Sequence, residues 1–141
     1  MNQLRTLLCL AVLATLAGCG KPGPSDESLS KFFADVAQEG SSGKSWTGAC
    51  WAPGARLTIR SSDGLIVEAT KEDLARIANQ TVPKIEKFEV VDSAYDAKTK
   101  ATKVTVRHCY KDQPSNLGVY TVSQDGGKLQ IVAYKDATLA E

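Results

Sequence analysis

Ala101-Thr102-Lys103-Val104-Thr105-Val106-Arg107-His108-Cys109-Tyr110 alternates without a break. Val104, Val106, His108 and Tyr110 share one face, and Lys103, Thr105, Arg107 and Cys109 the other. Successive side chains of a strand point to opposite sides, so this pattern predicts a half-buried strand with a largely apolar inner face. The stretch decides the fold because its neighbours on both sides read the same way. Upstream, Lys84 to Tyr95 is a second strand, and Asp96-Ala97-Lys98-Thr99 is the turn between the two. Downstream, Gln113 to Asn116 is a polar, proline-containing connection. Gly118 to Ser123 and Lys128 to Tyr134 then form a hairpin closed by Asp125-Gly126-Gly127. Four strands in succession joined by turns predict an antiparallel meander.

The chain before the meander reads as helices around a short hairpin. Leu29, Phe32, Phe33, Val36 and Ala37 make one apolar stripe, which predicts a helix over Ser25 to Gly40. Ser25 or Asp26 suits its start and Gly40 its stop. Ser41 to Ala55 is rich in Gly and Ser but holds Trp46 and Trp51, the only tryptophans. Rings of that size in such a segment are satellite core or a lid. Arg56 to Arg60 alternates as a strand, Ser61-Ser62-Asp63-Gly64 turns, and Leu65 to Glu68 returns. Thr70, with Asp73 three residues on, resembles a helix cap. The helix it opens turns Leu74, Ile77 and Ala78 inward and stops before Pro83.

At the N-terminus, Arg5 is followed by Leu7 to Leu16, ten residues of which only Thr15 is polar. That run is too short for a membrane-crossing helix, which takes about 20 residues, and has the layout of a secretory signal. Leu16-Ala17-Gly18-Cys19 resembles the lipobox of bacterial lipoproteins, in which the cysteine is acylated and begins the mature chain. An ordinary signal cut after Ala17 or Gly18 is the alternative. The resemblance implies a signal over residues 1–18, a lipidated Cys19 with a tether to residue 27, and a domain over residues 28–141. The residue after Cys19 is Gly20, not Asp, which resembles the outer-membrane-sorted class of enterobacterial lipoproteins. The expected location is the cell envelope, at the outer membrane and facing the periplasm, with the membrane as a partner through the lipid.

Removing residues 1–18 takes out Arg5 and no acid, leaving 16 Lys+Arg and 16 Asp+Glu among 123 residues. No basic patch stands out, which argues against a nucleic-acid partner. The length is that of one domain with its own core. Cys9 leaves with the signal and Cys19 carries lipid, so Cys50 and Cys109 remain in an oxidising compartment. They are expected to form a disulfide, worth roughly 4 kcal/mol for the loop it closes. A metal site using His108 beside Cys109 is the alternative, but it lacks further ligands at recognisable spacing. No metal or cofactor is expected.

Helix, hairpin, helix and a four-stranded meander predict an α+β layer, with helices on a curved antiparallel sheet. Cys50-Trp51-Ala52-Pro53-Gly54-Ala55-Arg56-Leu57-Thr58-Ile59, then Asp63-Gly64, then Thr70-Lys71-Glu72-Asp73-Leu74, resembles the SnoaL-like branch of the nuclear transport factor 2-like (NTF2-like, cystatin-like cone) fold. Ile85 to Val132 looks like small bacterial lipoproteins of that fold without an assigned activity. The resemblance implies a cone whose apolar inside hosts unrelated tasks. In its steroid-isomerase-like enzymes a base aspartate follows the matching segment. Here Ile59 stands at that position and takes no proton. Gly118 to Ser123, where such enzymes carry a second acid, has none.

Phe32, Phe33, Trp46, Trp51, His108, Tyr110 and Tyr120 are the candidate pocket residues, core first and pocket wall second. His108 is the one histidine. It titrates near neutrality and is either a base or a neutral, hydrogen-bonded core residue. No nucleophile or acid is placed beside it, so no catalytic residue is assigned. The expected function is a non-catalytic lipoprotein that binds a small apolar ligand in the cone, or a protein partner or second copy on the open sheet face. The alternatives are an immunity or inhibitor lipoprotein that neutralises a toxin, and a hydrolase or isomerase built on His108.

Overall fold

Ser25 caps the first helix as the sequence predicts. In the computed structural model, which describes residues 22–42, 44, 48–61, 63–77 and 85–139, its hydroxyl accepts from the Ser28 N–H at 3.1 Å. Helix α1 runs Asp26–Ser41 with Asp26 and Glu27 at its positive end, and it buries Leu29, Phe32, Phe33, Val36 and Ala37. The signal region, Cys19 and Trp46 lie outside the described residues.

Strand β1 spans Trp51–Arg60 and begins five residues before the predicted start. Pro53 has no N–H for a ladder, and the Gly54 N–H turns instead to Glu72 Oε1 at 3.0 Å. A register shift between Trp51 and Arg56 accommodates both. The segment looks like a loop by composition, but its ends are held in a sheet. Strand β2 is Ile66–Thr70 and helix α2 is Lys71–Ile77. The cap between them forms as expected. Thr70 Oγ1 accepts from the Asp73 N–H at 3.2 Å, and Asp73 Oδ2 accepts the Thr70 N–H and O–H at 3.3 and 2.8 Å. Leu74 packs on the core; Ala78 and Pro83 lie outside the described residues.

The meander follows as β3 (Ile85–Asp96), β4 (Ala101–Tyr110), β5 (Asn116–Asp125) and β6 (Lys128–Asp136), with a short 3₁₀ turn at Ala137–Leu139. The six strands form one sheet in the order β2-β1-β6-β5-β4-β3. The α+β class is as expected, but the sheet is mixed rather than wholly antiparallel, because β1 pairs with β6 in parallel. Neighbours joined by a tight turn must reverse direction. β1 and β6 belong to separately turned units, and the seam between them follows from the face each unit has to bury.

Helix α1 lies over the inner face, against β3. Its stripe meets Trp51, Ala55, Leu57, Val104, Val106, Tyr120, Val122 and Ile131 in one buried cluster.

The expected Cys50–Cys109 disulfide does not form, and both thiols are free. Trp51 pairs with Ile131, Ile131 with Val122, and Val122 with Thr102. Cys109 is therefore three strands away from Cys50 and seven residues along β4. At strand spacings of about 4.8 Å and rises of about 3.3 Å this is on the order of 25 Å. A disulfide needs Cα atoms within about 7 Å. Sequence gives the positions of Cys50 and Cys109 but not which strands lie between them.

Candidate functional site

The β4 alternation turns His108 inward as predicted, and the cross-strand register supplies its surroundings. Phe88 of β3 and Asn116 of β5 stand opposite it. Tyr120, two turns of the pleat along β5, lies opposite Tyr134 of β6. His108 is 4% exposed. Its Nδ1 lies 2.7 Å from Asn116 Oδ1 and its Nε2 2.9 Å from the Tyr120 hydroxyl. An amide oxygen only accepts, so Nδ1 carries the proton and Nε2 accepts from the Tyr120 O–H. The Tyr110 hydroxyl donates to the same Asn116 oxygen at 3.3 Å.

Burial pushes the His108 imidazole below its ordinary range, against smaller opposing effects of Asn116 and Asp136. It pushes Tyr110 up. It holds Tyr120 and Tyr134 well above the usual phenol range, reinforced by neighbouring tyrosines and, at Tyr134, by Asp136. Each group is held neutral because a charge in this apolar setting loses its hydration.

The rings pack around Tyr120. Phe33 meets it edge-on at 5.0 Å, Tyr134 at 4.8 Å, His108 at 5.7 Å and Trp51 at 6.1 Å between centroids. Phe32 touches Phe33 at 5.3 Å, and Phe88 lies 4.8 Å from His108. Of the candidate pocket residues, Phe33, Trp51, His108 and Tyr120 thus converge, Phe32 buttresses them, and half-buried Tyr110 sits at the rim. Sequence reasoning missed Phe88, Asn116, Gly118 and Tyr134. Phe88 and Tyr134 sit at inward positions of strands it found, but Asn116 read as part of a polar connection. Gly118 is required by close approach: a Cβ there would fall 2.4 Å from Tyr134 Cε2 and 2.8 Å from His108 Cε1. Among the described residues these rings pack on one another as part of the buried core.

Chemically the histidine is committed, since both ring nitrogens are engaged inside the protein. His108 and Cys109 point to opposite faces, so the pair cannot chelate one ion. Among the described residues no three of His, Cys, Asp and Glu come together. Cys50 lines a shallow groove with Phe32, Asp35 and Lys128. Its thiol is pushed up to about 12 by burial and by the Glu39 charge, which leaves it a poor nucleophile. A larger cleft of about 810 Å³ opens at the edge of the sheet, between the chain entering α1 and strand β3.

No family model matches the chain, and no curated protein does. Among solved structures, an NTF2-like protein of unknown function from Shewanella baltica superposes with a TM-score of 0.55 at 8% identity, over 80% of this chain and 95% of that one. The fold is NTF2-like. A DUF4783 family protein from Bacteroides ovatus aligns at a TM-score of 0.48 and 12% identity, over 83% of this chain and 97% of that one. One from Bacteroides uniformis aligns at 0.47 and 14%, over 79% and 94%.

Proposed function

We propose that this chain is a non-catalytic binding module of the bacterial cell envelope, held by lipid on Cys19 at the outer membrane and facing the periplasm. The observation that carries the non-catalytic reading is the state of His108. Nδ1 and Nε2 are both spent on Asn116 and Tyr120, so no ring nitrogen is left to take a proton from a ligand. The packing of the inner-face rings on one another supports a binding surface on the outside of the fold. The anchor rests on Leu16-Ala17-Gly18-Cys19 behind its apolar run; lipid attached through two or more chains holds a protein stably.

One preparation tests both halves. Cells expressing the chain are fed alkyne-palmitate, and the protein is fractionated and assayed on generic ester and phosphoester substrates. Label and membrane association that disappear in Cys19→Ala support the anchor, and an unlabelled, soluble wild-type chain refutes it. Turnover by the wild type that is lost in His108→Ala sinks the non-catalytic reading.

A further inference from the structure

The two edges of the sheet are finished differently. Strand β3 is interrupted by register shifts between Ile85 and Lys87 and between Val90 and Asp92, and α1 packs against it. It also carries Glu86, Lys87, Glu89 and Asp92. Bulges, charges and a covering helix keep a sheet edge from pairing further. Strand β2, the other edge, has an unbroken register with β1. Leu65, Ile66 and Val67 are 64, 60 and 38% exposed there. The backbone is open as well. The Ser61 N–H donates to the Leu65 carbonyl at 2.8 Å. Hydrogen-bonded and non-hydrogen-bonded pairs alternate along an antiparallel ladder. Val67 and Ala69 therefore turn their peptide groups toward β1, and Ile66, Glu68 and Thr70 turn theirs outward. The Thr70 N–H accordingly goes to Asp73 Oδ2 at 3.3 Å. Those of Ile66 and Glu68 face no strand, because β2 ends the sheet.

We infer that β2 pairs with β2 of a second copy, antiparallel about a twofold axis at Val67, so that two sheets join into one. The register follows from β2 itself. Val67 faces Val67 and Leu65 faces Ala69, so the inner side is apolar, with large against small. Ile66 faces Glu68 on either side of the axis, and each such pair exchanges both backbone hydrogen bonds. On the outer side Arg60 stands beside Ile66, so the next residue in the row is Glu68 of the second copy. Two strand spacings, about 10 Å, are within the joint reach of these side chains. Glu68 is then held between Arg56 of its own chain, at 3.7 Å, and Arg60 of the second copy. A shift of two residues one way sets Glu68 against Glu68, like charges directly opposite, and needs the Thr70 N–H already given to Asp73. The opposite shift runs the pairing into the Asp63-Gly64 turn, and odd shifts turn the apolar side outward. One short strand a side is well below the roughly 20–30 residues of a standard interface, so the dimer is weak and fills with concentration. The inference goes beyond the binding-module reading and rests on neither its anchor nor the state of His108.

The test joins sedimentation of the purified full-length protein over a concentration series with cysteine pairing in expressing cells. The expected result is a dimer that grows with concentration. Val67→Cys should link to itself under mild oxidation, since a non-hydrogen-bonded pair sets Cα atoms about 4.5 Å apart. Ile66→Cys alone and Glu68→Cys alone should not exceed the wild-type blank, because each lies more than about 7 Å from its own copy. Val67→Lys, which sets like charges across the axis, should weaken association about tenfold or more. Glu68→Lys, on the exposed outer side, should weaken it about fivefold and stays informative if Val67→Lys fails to fold. A monomer at every concentration, a dimer unchanged by Val67→Lys and Glu68→Lys, or equal linking at the three cysteine positions would each overturn the inference. So would Val67→Cys linking to a different protein in place of itself. None of these outcomes alters the His108 turnover assay, so the two readings fail separately.

Discussion

The aromatic interior around Tyr120 and the cleft at the β3 edge belong to one sheet, and they treat polar groups differently. In the interior, Tyr120 donates to His108, His108 donates to Asn116, and Asn116 also serves Tyr110. In the cleft, Asp26 receives a single long contact from the Ser93 hydroxyl at 3.4 Å, and the other lining carboxylate, Asp92, is exposed. A buried titratable residue is therefore not by itself a mark of chemistry. The histidine is the most conspicuous titratable residue in the sequence, yet inside the fold both its nitrogens are spent on neighbours.

The contrast can be broken or sharpened by substitution. The largest effect is expected at Phe33, which is fully buried. Phe33→Ala should cost about 3–5 kcal/mol in urea denaturation, the range for removing a buried ring. A cost below about 1 kcal/mol would mean the interior is loose and that a cone cavity exists after all. Gly118→Ala comes next, at about 1–3 kcal/mol, because two packed rings have to shift for one methyl group. An unchanged midpoint would show that the His108 and Tyr134 rings move freely.

Tyr120→Phe should cost about 1–3 kcal/mol by leaving Nε2 of His108 buried without a donor. The same histidine sets the pH dependence. Its folded pKa lies below the unfolded value of about 6.5. The unfolded chain therefore takes up a proton first as pH falls, and stability drops below that pH. The slope is at most about 1.4 kcal/mol per pH unit until the folded histidine also protonates, and stability is level above the unfolded pKa. Denaturation midpoints of His108→Gln measured between neutrality and the carboxylate range should lack this slope. A wild-type profile that is flat there would remove the reading of His108 as a buried neutral node. The smallest effect belongs to the cleft: Asp92→Asn should change stability by less than about 0.5 kcal/mol, since the side chain is exposed. A large loss would mean that this carboxylate is tied into the fold.

Much of the architecture was legible from residue order. The α1 stripe, the Thr70 cap and the alternation of Ala101 to Tyr110 are local signals, because each repeats within a few residues at the period of its element. Placing His108 inward required only the period of two. The packing of Phe33, Trp51 and Tyr120 in the core followed from ring size and patterning, as the first of their two readings had it. Asn116 escaped because its polar neighbours masked the start of β5, and only its position across from His108 gives it a role.

Sequence alone determined the α+β class, the meander and the inward face of β4, since these depend on interactions between near neighbours and on turn chemistry. Tertiary structure alone decided the parallel seam between β1 and β6, the separation of Cys50 from Cys109 and the occupation of both His108 nitrogens. Each of these depends on which strands become neighbours across long stretches of chain. No local period encodes that choice; it is made when all the elements bury their apolar faces against one another at once.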